Sequence, residues 1–281
     1  MGLYELSLAI VVGINIILAV SLNLITGYCG QISLGHAAFF GVGAYTTALL
    51  AKIGWPVYLT LSSGFIITGI AGAVIGLTSL RVREDFLAIV TMGVAFLFVG
   101  IVRQQEFLGG EMGISAIPSH GMTKFAFLGL VLFFALISIV FSWHVKRSWM
   151  GFAFDAVADD EKTARVLGLD IKAYKLIAFA MGTAIAGLAG GLYAYYTRFI
   201  IPDTFGFVES VTILSMVALG GIGSIFGVVV ATIFLTLMPE FFRFINDYKL
   251  LIYGVLLFSV MRFAPDGLAG LFKLIVRKKE V

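Results

Sequence analysis

The sequence predicts an all-α polytopic membrane protein with about eight transmembrane helices (six to ten), some of them broken or re-entrant. Of 281 residues, 60% are hydrophobic and 12% charged, about half the charged share of an average soluble domain. With a mean hydropathy of +1.05, a soluble fold would expose large aggregating patches, so lipid must solvate most of the surface. The hydropathy comes in long unbroken runs, whereas the strands of a β-barrel alternate and give weaker signals.

Composition also excludes function classes. A net charge of +3 is small and scattered, which argues against nucleic acid as a partner. The single Cys29 cannot form an internal disulfide. Residues 6–26 are too long for a cleavable leader, and no small-residue cleavage site follows them. His36, His120 and His144 lie far apart without ligand spacing, so no metal site is expected. No Gly-Lys dipeptide occurs, so a P-loop is absent and any ATP must be bound by another chain.

Taken in order, Leu6–Thr26 is an uncharged run long enough for about 30 Å of hydrocarbon. It runs into 27–50, where Gly27, Gly30, Gly35, Gly41 and Gly43 weaken a plain helix but permit close contacts or a broken helix lining a path. Asn15, Asn23, Gln31, Ser33 and His36 need partners inside the bundle or water in a pore. Ser33 and His36 do not suggest a hydrolase, since no nucleophile motif or acidic partner is near. Pro56–Leu80 spans next, ending at Arg81, Arg83, Glu84 and Asp85, and Phe86–Val102 follows. The loop 103–124 reads as irregular backbone or short helices, with Glu111 the one charge placed to meet a substrate or partner. Phe125–Val145 spans again.

Lys146–Lys175 is the only long stretch that reads as a soluble surface, with six basic and five acidic residues. Its centre, 159–170, reads as a short helix: Asp159 or Asp160 caps it, Glu161 suits its positive end, and Gly168 takes the left-handed stop. The plainer alternative is a solvated connector. Leu176–Thr197 spans, and Ser210–Met238 runs longer than one span needs, broken by GGIGS (220–224). That break is either a turn or a hinge at Gly220, Gly221 and Gly223. The last span is about Leu250–Phe263. Placing the charged loop and the tail in the cytoplasm puts thirteen of nineteen Lys and Arg inside. Parity then requires Ser210–Met238 to cross twice, as helices of roughly 204–219 and 224–241, or to re-enter. The side of the N-terminus stays open.

Four blocks resemble the permease subunits of bacterial ABC importers for branched-chain amino acids, of the LivM type. They are SLNLITGYCGQISLGHAAFFGVGAY (21–45), LGGEMGISAIP (108–118), TARVLGLDIKAYKLIAFAMGTAIAGLAGGLYA (163–194) and VALGGIGSIFGVVV (217–230), with LLIYGVLLFSVMRFAPDGLAG (250–270) a weaker fifth. The resemblance implies an ABC importer permease fold: one transmembrane permease domain over 1–281, with 146–175 as a cytoplasmic coupling loop. It implies ATPase coupling through Asp160, Glu161, Ala164, Arg165, Leu167 and Gly168, with the small Ala164 fitting a cleft in the ATPase. It implies a substrate path along Asn23, Gly27, Gln31, Ser33, Gly35, His36, Gly43 and Tyr45. Cofactors are none in this chain, with ATP and Mg on the partner ATPase. The implied partners are two cytoplasmic ATPase subunits, a related second permease chain, and a periplasmic or lipid-anchored substrate-binding protein. The implied location is the bacterial or archaeal plasma (inner) membrane, with the C-terminus cytoplasmic. Urea or short amides are alternative substrates. A stand-alone channel or secondary transporter is the alternative class, but it would need ionisable residues in mid-span, and almost none are there.

Overall fold

A computed structural model describes residues 2–79, 84–119, 121–241, 249–263 and 267–270. Arg81, Arg83, His120 and the basic tail beyond residue 270, on which part of the charge count rests, lie outside the described residues. Within them the chain is helical: α1 (Leu3–Leu22), α2 (His36–Lys52), α3 (Val57–Ser79), α4 (Glu84–Gln104), α5 (Lys124–Arg147), α6 (Trp149–Asp159), α7 (Glu161–Val166), α8 (Ile171–Thr197), α9 (Phe207–Gly220), α10 (Ile225–Phe241) and α11 (Lys249–Phe263). Among the described residues, six segments are long and apolar enough to cross a membrane: Leu3–Tyr28, Val57–Thr78, Phe86–Gln104, Lys124–Arg147, Ile171–Thr197 and Pro202–Gly220. Ile225–Glu240 is a shorter apolar helix.

Helix α8 is the hub, packed by α1, α2 and α3. Its glycines set how close those helices come. A Cβ at Gly190 would lie 2.0 Å from the Phe40 carbonyl oxygen, and one at Gly43 would lie 2.1 Å from that of Gly187. Without a hydrophobic drive between helices in lipid, this backbone approach supplies the packing that holds them. The other sides of α3, α4 and α5 expose Tyr58, Ile66, Ile70, Phe96, Leu97, Phe133 and Leu136, as hydrocarbon solvent requires. Hydroxyls in these helices satisfy themselves on the preceding turn, as in Thr183 to Phe179 O (2.8 Å) and Ser138 to Phe134 O (2.8 Å).

The two ends of the bundle are chemically distinct. At one end, Lys124 Nζ donates to Leu3 O at 3.0 Å and to the Ser7 hydroxyl, and Tyr4 pairs with Glu240. At the other end, Lys146 lies 4.8 Å from the Tyr28 ring centroid, and Gly30 packs against Ala158 of α6. Helix α1 therefore starts at the end opposite the charged loop and finishes beside it. After residues 29–35 reverse the chain, α2 returns toward the end where α1 began. Helices α9 and α10 are the two helices expected either side of the GGIGS break: Gly223, in the turn between them, reaches the α1 break, and Glu240 reaches back to Tyr4.

Candidate functional site

Two features sit at the loop end of the bundle, a broken helix and a capped charged loop. The break begins where α1 loosens into a π-helical turn, Asn23–Tyr28, a geometry common at functional sites. Asn23 Oδ1 accepts from Gly223 N at 2.9 Å, and a Cβ on Gly27 would come within 2.6 Å of the same nitrogen. The sequence's path block and its GGIGS block thus meet. Gly221 and Gly223 hold φ of +101° and +85°, which only glycine adopts without strain. Gly220 closes α9 against Val228.

Below the break, Thr26 Oγ1 donates to Gln31 O at 3.0 Å, and Gln31 Nε2 donates to Lys175 O at 3.0 Å. Ser33 is buried, with its hydroxyl 3.4 Å from Gly35 N. Gly35 lies against α4, where a Cβ would sit 2.1 Å from Thr91 O, and Thr91 Oγ1 accepts from Leu34 N at 2.9 Å. His36 opens α2 and shares a 2.7 Å hydrogen bond with Ser21, and Ala37 N donates to Ser210 Oγ at 3.0 Å. These polar residues tie five helices, α1, α2, α4, α8 and α9, together at a junction. The sequence missed Ser21, Thr91 and Ser210, since isolated hydroxyls in apolar runs carry no distinguishing pattern. Gly43 and Tyr45 belong elsewhere: Gly43 packs on α8, and Tyr45 joins aromatic rings toward the opposite end. Among the described residues, Asn23 Nδ2, His36 Nδ1 and the Tyr45 hydroxyl are buried without a hydrogen-bond partner.

The charged loop folds as its sequence dictates. Asp160 caps α7, accepting from Lys162 N at 2.8 Å and from the Thr163 hydroxyl at 2.7 Å. Thr163 first, then the Lys162 amide, hold its carboxyl below the usual carboxylate range. Gly168 ends the helix at φ +85°, and Asp170 caps α8. Glu161 pairs with Lys175, whose side chain is only 7% exposed. Lys175 is a nearly buried residue that sequence reasoning left among the loop's surface charges. Its signal was its place at the start of an apolar span. Arg165, Val166 and Leu167 face outward, the last two at 87% and 73% exposure. Ala164 does not. It is 1% exposed and packs inside its own chain, so its small volume serves this fold and not a partner's cleft.

A helical bundle with lipid-facing sides, a discontinuous helix and one structured charged loop defines a polytopic membrane transport component. Residues 5–261 match the family described as "Branched-chain amino acid transport system / permease component", and the chain belongs to that family of ABC permeases. It is 36% identical over 91% of its length to the "High-affinity branched-chain amino acid transport system permease protein LivM" of Escherichia coli K12, covering 67% of that protein. It is 25% identical to the "Probable branched-chain amino acid transport permease protein LivM" of Methanocaldococcus jannaschii, over 91% of this chain and 90% of the relative. It is 24% identical to the E. coli K12 permease protein LivH, over 90% of each. No solved structure matches the chain.

Proposed function

We propose that this permease carries branched-chain amino acids across the plasma membrane as one half of a translocation unit, the other half being a second, related permease chain. Likeness to both a LivM and a LivH protein supports the pairing. Two cytoplasmic ATPase subunits dock on the charged loop, and a periplasmic or lipid-anchored binding protein delivers substrate at the opposite end. The observation that carries this reading is α7. A capped six-residue helix presents Val166 and Leu167 almost fully to water, just before a glycine stop. Two large apolar side chains on an otherwise charged surface are a contact waiting for a partner.

In this reading the loop end is cytoplasmic, as is the C-terminus. The N-terminus then lies outside, because α1 starts at the other end. The six long segments, α2, α10 and α11 then make nine passes, the odd number that an outer N-terminus and a cytoplasmic C-terminus require. The path runs past the junction of Asn23, Gly27, Gln31, Ser33, Gly35 and His36, with the turn Gly220, Gly221 and Gly223 as its hinge.

Reconstitution with the neighbouring ATPases, permease and binding protein tests the assignment. Expected is ATP-dependent uptake of leucine, isoleucine or valine into proteoliposomes that is lost in a Val166→Ser/Leu167→Ser variant while basal ATPase activity persists. Uptake of urea or short amides in preference to these amino acids would overturn the substrate reading. Transport by the lone chain without ATP would overturn the class of mechanism.

A further inference from the structure

Phe205 is fully buried although it belongs to a four-residue 3-10 turn, Pro202–Phe205, at the end opposite the charged loop. Its ring is enclosed by four others, with centroids 5.1 Å away at Phe40, 5.8 Å at Tyr45, 6.0 Å at Tyr193 and 6.3 Å at Phe98. The box is drawn from α2, α4 and α8, so a single side chain from a short turn plugs a space between three helices. Within it the Tyr45 hydroxyl is buried and has no hydrogen-bond partner. A buried hydroxyl in that state costs stability, and one facing a ligand chamber has a reason to be kept.

Two residues before the plug, Asp203 pairs with Arg103 of α4 at 2.5 Å. Both side chains are about half exposed or more, at 63% and 46%, and such surface pairs separate at little cost. Phe98 also walls an apolar crevice of about 320 Å³ between α2, α3 and α4, lined by Ala38, Val42, Val94 and Leu97. A positive group, a negative group, an unpartnered hydroxyl and an apolar recess therefore occur together.

We propose that this box is a binding chamber for a zwitterionic amino acid with an apolar side chain, and that Phe205 fills it when no substrate is present. The inference rests on the amino-acid reading above and names the residues that recognise the substrate. The substrate's carboxylate replaces Asp203 on Arg103, and its ammonium group replaces Arg103 on Asp203. One ion pair thus becomes two, with charge conserved. The apolar side chain takes the volume vacated by Phe205, and the Tyr45 hydroxyl gains a partner. A ligand lacking either charge breaks the pair without replacing it.

The test uses the assembled transporter in nanodiscs without its binding protein. A Phe205→Ala variant removes the plug, and equilibrium binding of radiolabelled leucine is measured. Saturable binding stronger than wild type is expected, competed by isoleucine and valine but not by isocaproate, which lacks the ammonium, or isoamylamine, which lacks the carboxylate. Adding Arg103→Gln or Asp203→Asn is expected to weaken binding about two- to fivefold, the scale of a half-exposed ion pair. Tyr45→Phe, which keeps the ring, is expected to weaken it several-fold. Absence of saturable binding in a folded Phe205→Ala complex would overturn the proposal, as would equal competition by isocaproate and isoamylamine. If wild type imports leucine while that variant binds none, this chamber falls and the function stands. If wild type imports no branched-chain amino acid, the substrate reading itself fails.

Discussion

Substituting Glu161→Gln isolates the one nearly buried cation of the charged loop. Lys175 keeps 7% of its side-chain exposure, whereas Glu161 keeps 30%, so the two partners are not equivalent. Breaking a fully buried pair costs about 3–5 kcal/mol and an exposed one about 0–1. Removing the carboxylate charge beside a nearly buried lysine at a position water reaches lies between these limits, so roughly 2–3 kcal/mol is expected. The reciprocal Lys175→Met leaves a carboxylate that water already touches and keeps the apolar stem, so about 1 kcal/mol is expected. The double variant should cost less than the sum, because both changes remove the same contact. Hydrogen exchange over 159–175 in nanodiscs reads the difference: Glu161→Gln should raise local opening by roughly 30- to 150-fold. The Gln31 contact uses the Lys175 backbone carbonyl, so residues 23–36 should feel the loss as well. Equal protection in Glu161→Gln and wild type, or a larger effect from Lys175→Met, would refute the asymmetry on which the reasoning rests.

Further expectations follow from single contacts. Gly168→Val places a β-branched residue at φ +85°, at a cost of about 1–3 kcal/mol. It should cut coupled transport while leaving membrane insertion intact, measured as uptake per inserted transporter. Gly43→Leu drives side-chain atoms into the Gly187 backbone and should abolish assembly, seen as loss of a monodisperse peak in detergent. The Asp160 carboxyl is held below its ordinary range. Its capping contribution is therefore present above its unfolded-state pKa and lost as pH falls through the lowered value, so proteolysis within 159–170 should rise only in strong acid. An Asp160→Asn variant should flatten that rise. Cysteines placed at Leu3 and at Arg165, with Cys29 replaced, should be labelled from opposite faces of sealed vesicles.

Much of the bundle was legible because lipid imposes a one-dimensional rule: a crossing helix needs an uncharged run, and charges mark the ends. The split of 204–241 into two helices followed from parity and the GGIGS interruption, and the structure places α9 and α10 within a few residues of the expected bounds. The course of 27–50 was harder. A π-helical turn and an irregular reversal are decided by tertiary hydrogen bonds, such as those from Gly223 and to Lys175 O, and no local pattern encodes partners 144 and 200 residues away.

The loop shows where residue-level reading stops. Caps and stops are local chemistry, so a cap at Asp159 or Asp160 and a stop at Gly168 were read from their neighbours alone, and the structure gives the cap to Asp160. Which way a side chain faces on a six-residue helix is not local. With under two turns, no hydrophobic period exists to mark an inner face, and a small residue suits a buried contact or a partner's cleft equally. The structure turns Ala164 inward and leaves Val166 and Leu167 outside. That orientation follows from tethers at both ends: Glu161 fixed to Lys175 and Gly168 turning the chain back toward the Asp170 cap. The same tethers join α7 to the start of α8 and, through the Lys175 carbonyl, to Gln31. These contacts link α7 to the broken helix through Lys175 and Gln31.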